Sequence, residues 1–333
     1  MARQTVLFIG GTGRISAHCV DNAVARGFEV FVLNRGQTAI RPVPGGVQYI
    51  KGDARDPASV REAVKGVDFD VVVNFVAFTA ADVTSDLDIF RGHTRQYVFI
   101  SSASAYQTPP GRLPVLESTP LYNPIWKYSQ DKIAAEDVLV KAYREEGFPI
   151  TIVRPSHTYD QGSVPLVGQW TSMERMRAGK PVIVHGDGTS LWTLTHSRDF
   201  AKGFGGLLAN PWAYGEAFHI TSDEAPSWNA IMRMLADAAG VDDLNIVHVP
   251  SDAIAAVDKG WGDALLGDMG HSIYFDNSKL KNLVPEFICT TPFAQGAREV
   301  VEWFDANPDH KVVDTAKDET MDWLAQTYAP RGR

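Results

Sequence analysis

Two cysteines, Cys19 and Cys289, are all that this 333-residue chain contains. They stand far apart with no metal-ligand spacing around either, which excludes a disulfide framework and points to a reducing compartment with both thiols as packing residues. Long apolar runs are missing too. The stretch Val71-Val72-Val73 continuing to Phe78 is interrupted by Asn74 and falls far short of a membrane span. No Lys/Arg-rich run of five or more occurs, and a formal charge of -9 would repel a phosphate backbone, so nucleic acid is not an expected partner. Met1 leads within a few residues into the apolar run Val6-Leu7-Phe8-Ile9, with no room for an export signal; the expectation is a soluble, cytoplasmic protein without a membrane partner. His157, His185, His196 and His219 share no H-x-x-x-H spacing and no carboxylate cluster completes a site, so no metal is expected. His196 and Asp199 are expected instead to stabilise the turn into the helix at Arg198.

What is present is an ordinary globular composition, 44% hydrophobic and 21% charged, which leaves disordered and fibrous classes without support. Short apolar runs alternate with helical patterns: TVLFIG, a helix from Ile15 to Arg26, EVFVLN, VQYIKGD, a helix from Pro57 to Lys65, DVVVNFVA, QYVFISS, a helix from about Ser129 to Glu146, then PITIVRP. That rhythm means an α/β fold, a doubly wound parallel Rossmann sheet. Beyond Tyr159 the rhythm loosens, with helices expected at Trp170–Ala178, Arg198–Leu208 and Ser227–Ala239, a strand EAFHI, and a polar helical tail from Asp276. With no repeat or low-complexity linker, the expected division is a dinucleotide-binding domain over 1–160 and 194–220 and a smaller substrate-binding lobe over 161–193 and 221–333.

Gly10, Gly11 and Gly13 follow the first strand and open a helix, the context in which backbone N–H groups and a helix N-terminus receive a pyrophosphate. Ser16 stands where a third glycine is usual, so helix and strand should pack slightly less closely. Asn34 ends the second strand where an acidic residue would hold ribose hydroxyls, and Arg35 follows with a guanidinium suited to a 2′-phosphate. NADP is thereby favoured over NAD, unless Arg35 is simply a solvated surface residue. Asp53 either accepts from the adenine amino group or caps the next turn.

Tyr128 and Lys132 form Y-x-x-x-K within a helical segment and so share one face. A phenol with a pKa near 10 trades protons poorly at neutral pH, and an adjacent ammonium favours the phenolate. Ser102 ends the strand Phe99-Ile100-Ser101-Ser102, where parallel sheets bind ligands. Ser104 reads as a loop hydrogen-bonder and Tyr106 as packing.

The segments FIGGTGRIS, GDARD, FISSASAY, YSQDKIAAE, TIVRPSHTY, HGDGTSLWTLTHSRDFA and EAFHITS resemble, in order, the extended short-chain dehydrogenase/reductase group, the NAD-dependent epimerase/dehydratase family. The resemblance implies that Tyr128 is the general acid/base, that Lys132 holds the nicotinamide ribose and lowers the Tyr128 pKa, and that Ser102 orients the substrate oxygen. It implies a cofactor site of Gly10, Thr12, Gly13, Arg14, Ile15, Asn34, Arg35, Asp53, Ala54, Ala77, Lys132, Pro155 and His157. A substrate is expected against Ser102, Ser104, His157 and Trp192. Ala103 and Ser104 replace the acidic pair of the family's dehydratases, which disfavours dehydration. Trp192 and His157 replace an Arg and an Asn that hold nucleotide-sugars, which suits stacking on and hydrogen-bonding to a free sugar or polyol. The stretch Ala77–Tyr97 is shorter than in the family's epimerases, so one helix is expected to be trimmed.

The expected activity is NAD(P)-dependent hydride transfer at a secondary alcohol or ketone of a sugar-like substrate, as a dehydrogenase, reductase or epimerase. The alternatives are a nucleotide-sugar 4-epimerase and a non-catalytic RNA-binding protein of the chloroplast stem-loop-binding type, the branch that GGTGRIS and LNRG resemble. A homodimer is expected from the resemblance alone.

Overall fold

TVLFI, VVVN and YVFI are apolar at almost every position, which suits strands covered on both faces. In the computed structural model these become the centre of a parallel sheet. Residues 3–36, 41 and 45–329 are described; positions 1–2 and 330–333 at the ends of the expected domain ranges, and 37–40 and 42–44, lie outside the described residues. The chain runs β1 (Thr5–Ile9), α1 (Ser16–Ala25), β2 (Glu29–Asn34), β3 (Gln48–Lys51), α2 (Pro57–Ala63), β4 (Val71–Asn74), α3 (Ala80–Phe90), β5 (Tyr97–Ile100), α4 (Lys127–Glu146) and β6 (Ile150–Pro155). It continues with β7 (His157–Tyr159), α5 (Trp170–Arg177), β8 (Val182–His185), β9 (Leu194–His196), α6 (Ser197–Leu207), β10 (Ala217–Ile220), α7 (Trp228–Ala238) and β11 (Ile246–Val249). Helices α8 (Ser251–Val257), α9 (Lys259–Ala264), α10 (Ser278–Leu283), α11 (Phe293–Ala306) and α12 (Thr315–Tyr328) complete it.

Seven strands pair in the order β10-β6-β5-β4-β1-β2-β3, every pair parallel. The order reverses between β1 and β4, and their carboxyl ends face one crevice there, the place where open α/β sheets bind ligands. Register brings Ile9 beside Asn74 and Asn74 beside Phe99, so the residues after β1, β4 and β5 emerge along one edge. The stretch between Ala77 and Tyr97 still holds an eleven-residue helix, α3, started by a capping box between Thr79 and Asp82. Helix α4 ends at Gly147, whose φ of 71° lets its N–H reach the Tyr143 carbonyl at 3.0 Å.

Two short parallel ribbons, β7 with β9 and β8 with β11, stand outside the main sheet. The tail from Asp276 is helical as expected but not polar: α11 buries Phe293, Ala297, Val300, Val301 and Phe304 and packs on α7, while α12 buries Met321 and Leu324. Those apolar residues recur at helical spacing and make a stripe, which the polar outer face hides in the composition. Among the described residues no helix is long and apolar enough to cross a membrane. His196 caps α6 by accepting from the Arg198 N–H at 3.1 Å, whereas Asp199 accepts from the Thr291 N–H at 2.9 Å and so ties α6 to the segment before α11.

Candidate active site

Gly10 leaves β1 with φ of 84°, and a Cβ there would lie 2.6 Å from Val76 Cγ1. A Cβ on Gly11 would come within 2.9 Å of Val32 Cγ2. The loop therefore needs both glycines, one for conformation and one for close approach to β2. Ser16 is buried and stitches the loop: its hydroxyl donates to the Gly10 carbonyl at 2.6 Å and accepts from the Gly13 N–H at 2.8 Å. The hydroxyl thus occupies space that a third glycine would leave open. No side chain caps the start of α1, which leaves its first-turn N–H groups aimed into a groove of about 670 Å³ lined by Gly10, Gly13, Arg14 and Ile15. A pyrophosphate fits this loop, because its glycines admit close approach and its helix start supplies donors. Gly10→Ala is expected to destabilise the fold by about 1–3 kcal/mol and to weaken dinucleotide binding. Thermal unfolding and cofactor titration check this, and an unchanged melting temperature would contradict it.

Tyr128 and Lys132 share one face of α4, and their settings differ. Lys132 is almost fully buried; its ammonium donates to the Ala77 carbonyl at 2.8 Å and the Ile100 carbonyl at 2.7 Å, and the Phe78 ring covers it at 4.5 Å. Burial pushes its pKa down to about 7, against the pull of Asp82 and Glu136. The Tyr128 phenol is raised, first by burial and then by Asp268, while the nearby Ser102 hydroxyl pulls it back. Lys132 is not among the groups that shift the phenol in the chain by itself. In the chain by itself the desolvated lysine is engaged by carbonyls, and desolvation of the phenol dominates.

Ser102 emerges from β5 as expected, and a line of hydroxyls holds it. Its Oγ lies 2.9 Å from Ser104 Oγ, which accepts from the Ser129 hydroxyl at 2.7 Å. Ser104 is thus buried in this line as well as in the cavity wall. Sequence reasoning missed Ser129, which follows Tyr128 directly and is fully buried. It also missed two buried polar networks behind the site. Asn74 accepts from the Val76 and Ala77 N–H groups at 2.8 and 2.9 Å, fixing the loop that Lys132 contacts, and donates to Asp86 at 2.6 Å. Asp86 also accepts from the Tyr97 hydroxyl, and burial raises its pKa to about 6. Arg154 on β6 donates to Glu136 at 2.9 and 2.5 Å, and the Ser101 hydroxyl donates to the same carboxylate at 2.5 Å. Glu136 lies one helical turn beyond Lys132, a spacing that could have flagged it.

In front of Tyr128 and Ser102 lies a cavity of about 390 Å³ that shares Arg14, Ile15 and Thr158 with the glycine groove. Ser102, Ser104, Tyr128, Pro155, His157 and Trp192 all line it. Trp192 packs against Trp228 at 5.7 Å on one side and donates its indole N–H to His157 Nδ1 at 3.2 Å, so only its remaining surface is open to a ligand. Burial and Arg14 push the His157 pKa down to about 4, so the ring is a neutral acceptor. Asp268 lines the cavity too, delivered by a π-helical turn at Leu265–Met269 that no local sequence pattern announced. Thr12, Asn34, Arg35, Asp53, Ala54, Ala77 and Lys132 line neither cavity. Asn34 Oδ1 accepts from the Gly36 N–H at 2.9 Å, and Asp53 Oδ1 accepts from the Arg55 N–H at 3.0 Å, the capping alternative. Arg35 is exposed with no hydrogen-bond partner among the described residues.

The sequence profile of the NAD dependent epimerase/dehydratase family matches residues 6–220. The chain is 28% identical to 2′-dehydrokanamycin reductase of Streptomyces kanamyceticus, over 74% of this chain and 70% of that protein. It is 26% identical to chloroplast stem-loop binding protein of 41 kDa b of Arabidopsis thaliana, over 74% of this chain and 66% of that one. The structure superimposes on UDP-glucose 4-epimerase from Bifidobacterium longum, solved with NAD+ and UDP, with a TM-score of 0.73 at 20% identity, covering 92% of this chain and 100% of the other. At that identity the likeness speaks for the fold alone.

Proposed function

The chain belongs to the NAD dependent epimerase/dehydratase family, and on that premise we propose that it is a nicotinamide-dependent oxidoreductase acting on a secondary alcohol or ketone of a sugar-like molecule. The observation that carries this reading is the junction of the two cavities: Tyr128 and Ser102 face one, and the glycine loop lines the other. The bound dinucleotide supplies or accepts the hydride. Tyr128 holds the transferable proton at its phenol oxygen, Ser102 orients the substrate oxygen, and Ser104 and Ser129 hold the Ser102 hydroxyl in place. Lys132 is the group for the nicotinamide ribose, which must share or replace the carbonyl bonds and the Phe78 cover that the ammonium now has. The sheet with its helices holds the cofactor, and residues 161–193 and 221–333 supply the lobe that faces the substrate, except that Leu280, Val284 and Phe287 of the second segment pack into the core of the sheet.

A cavity of about 390 Å³ suits a free sugar better than a nucleotide-sugar, and the similarity to a reductase of 2′-dehydrokanamycin supports a sugar-derived ketone. The test is fluorescence titration with NADPH and NADH, followed by free sugars, polyols and nucleotide-sugars scored at the reduced-nicotinamide absorbance. Turnover of free sugars supports the reading. Co-purified NAD with no net turnover would replace it with nucleotide-sugar epimerisation, and salt-sensitive binding of structured RNA without cofactor uptake would overturn it.

The cofactor we propose is NADP. Asn34 turns its side chain to Gly36 rather than outward as a ribose acceptor, and the neighbouring guanidinium is exposed and unpaired among the described residues. Arg35→Ala is expected to weaken NADPH about tenfold and NADH by much less, as loss of one charge-assisted contact would. Equal effects on the two would remove the case for NADP.

A further inference from the structure

The cavity in front of Tyr128 contains a carboxylate, Asp268, that no group among the described residues answers. Its side chain has no hydrogen-bond or ion-pair partner there, and it is the only acidic residue among the described residues lining that space. Its position is held closely. Asn123 donates to the Gly267 carbonyl at 2.7 Å and the Ser104 carbonyl at 3.1 Å, linking this turn to the Ser102 segment. Trp228 donates its indole N–H to the Met269 carbonyl at 3.1 Å, and His271 Nε2 lies 3.1 Å from the Leu266 carbonyl. Gly267 lets the turn press on the α4 entry, since a Cβ there would lie 2.6 Å from Trp126 Cβ. Carbonyls on both sides of Asp268 are therefore pinned, in a π-turn of the kind that recurs at functional sites.

Asp268 is half-buried, facing the cavity; a partly desolvated carboxyl with no partner is costly, and a fold that fixes one at the mouth of its acid/base pair leaves the partner to the ligand. A cation would be drawn both to Asp268 and to the rings of Trp126 and Phe275 in the same wall, while Arg14, where this cavity meets the glycine groove, supplies the opposite charge. The overall charge of -9 acts in the same direction as Asp268. We propose that Asp268 recognises a protonated amine, so that the substrate is an amino-bearing sugar or polyol whose ammonium pairs with Asp268 while its carbonyl or hydroxyl faces Tyr128 and Ser102. The proposal rests on the oxidoreductase reading for the second half of that pose only.

Burial raises the Asp268 pKa to about 8, so pairing with an ammonium near neutral pH is expected to be accompanied by proton release. Of the other titratable groups facing the cavity, His157 is held at about 4, Tyr128 is raised, and Arg14 is lowered, first by burial. His185, packed behind the turn, is at about 4 as well.

The test uses matched probes, glucosamine against glucose and an aminocyclitol against its hydroxyl counterpart. Calorimetric titration of the protein with and without NADP+, in buffers of different ionisation enthalpy, is followed by turnover assays. The amino probes are expected to bind about tenfold to a hundredfold tighter with proton release near pH 7, a preference that Asp268→Asn abolishes by weakening the amino probes far more than the hydroxyl probes. Asp268→Glu should keep part of the preference. Equal binding of both members, or an equal loss for both in Asp268→Asn, overturns the proposal. Failure of the oxidoreductase reading looks different: amino probes bind through Asp268, but nothing turns over.

Discussion

Tyr128→Phe is expected to lower kcat by about 10²–10⁴-fold while leaving the NADPH dissociation constant unchanged, because only the transferable proton is removed. The ring would still pack against Trp126 at 5.0 Å and Phe78 at 6.3 Å, so a loss of turnover would not reflect a loss of fold. The pH dependence adds a sign. Burial and Asp268 raise the phenol above its ordinary value, so it stays protonated through neutrality in the free chain. Oxidation, which needs the phenolate, should therefore rise relative to reduction, which draws a proton from the phenol, as pH increases from about 6 to 9; Lys132 and Asp268 titrate in the same interval and act on both directions alike. Stopped-flow or steady-state rates in both directions decide it. Near-full activity in Tyr128→Phe, or a ratio of oxidation to reduction that falls as pH rises, would remove Tyr128 from the assigned role.

The parts of the molecule legible in the sequence are those fixed by local pattern. TVLFI, VVVN and YVFI are apolar on both faces and became the sheet centre; Gly10 and Gly11 announced a turn whose conformation and close packing only glycine satisfies. The Y-x-x-x-K spacing was legible as a shared helix face. Its electrostatics were not, because the state of Tyr128 depends on how Lys132 is desolvated and on which carbonyls it meets, and Ala77 and Ile100 come from other βα units. Trp192 was legible as an aromatic of the pocket but not as one packed against Trp228. Asp268 carried no local signal at all. It arrives from a distant π-turn, and its meaning comes from the absence of a partner, which only three dimensions reveal.

The same dependence on distant segments makes Glu136 the position of largest expected effect on stability. Its carboxylate joins three elements: it sits on α4, accepts from Arg154 on β6, and accepts from Ser101 at the end of β5. Both charged partners are almost fully buried, 2% and 5% exposed, so solvent screens the pair little and removal of the carboxylate leaves a guanidinium stranded beneath the sheet edge. Glu136→Ala is therefore expected to cost about 3–5 kcal/mol. For a chain of 333 residues that corresponds to roughly 4–7 °C in Tm. Breaking the pair also frees α4 one turn beyond Lys132, so kcat should fall along with stability. Replacing both partners with methionine should cost at least about 1 kcal/mol less than the sum of the two single changes, since no charge is then left unpaired. Calorimetric or denaturant unfolding of Glu136→Met, Arg154→Met and the double variant tests this directly. Additive losses, or a single-variant cost below about 1 kcal/mol, would show that the pair does not anchor the helix carrying Tyr128 and Lys132.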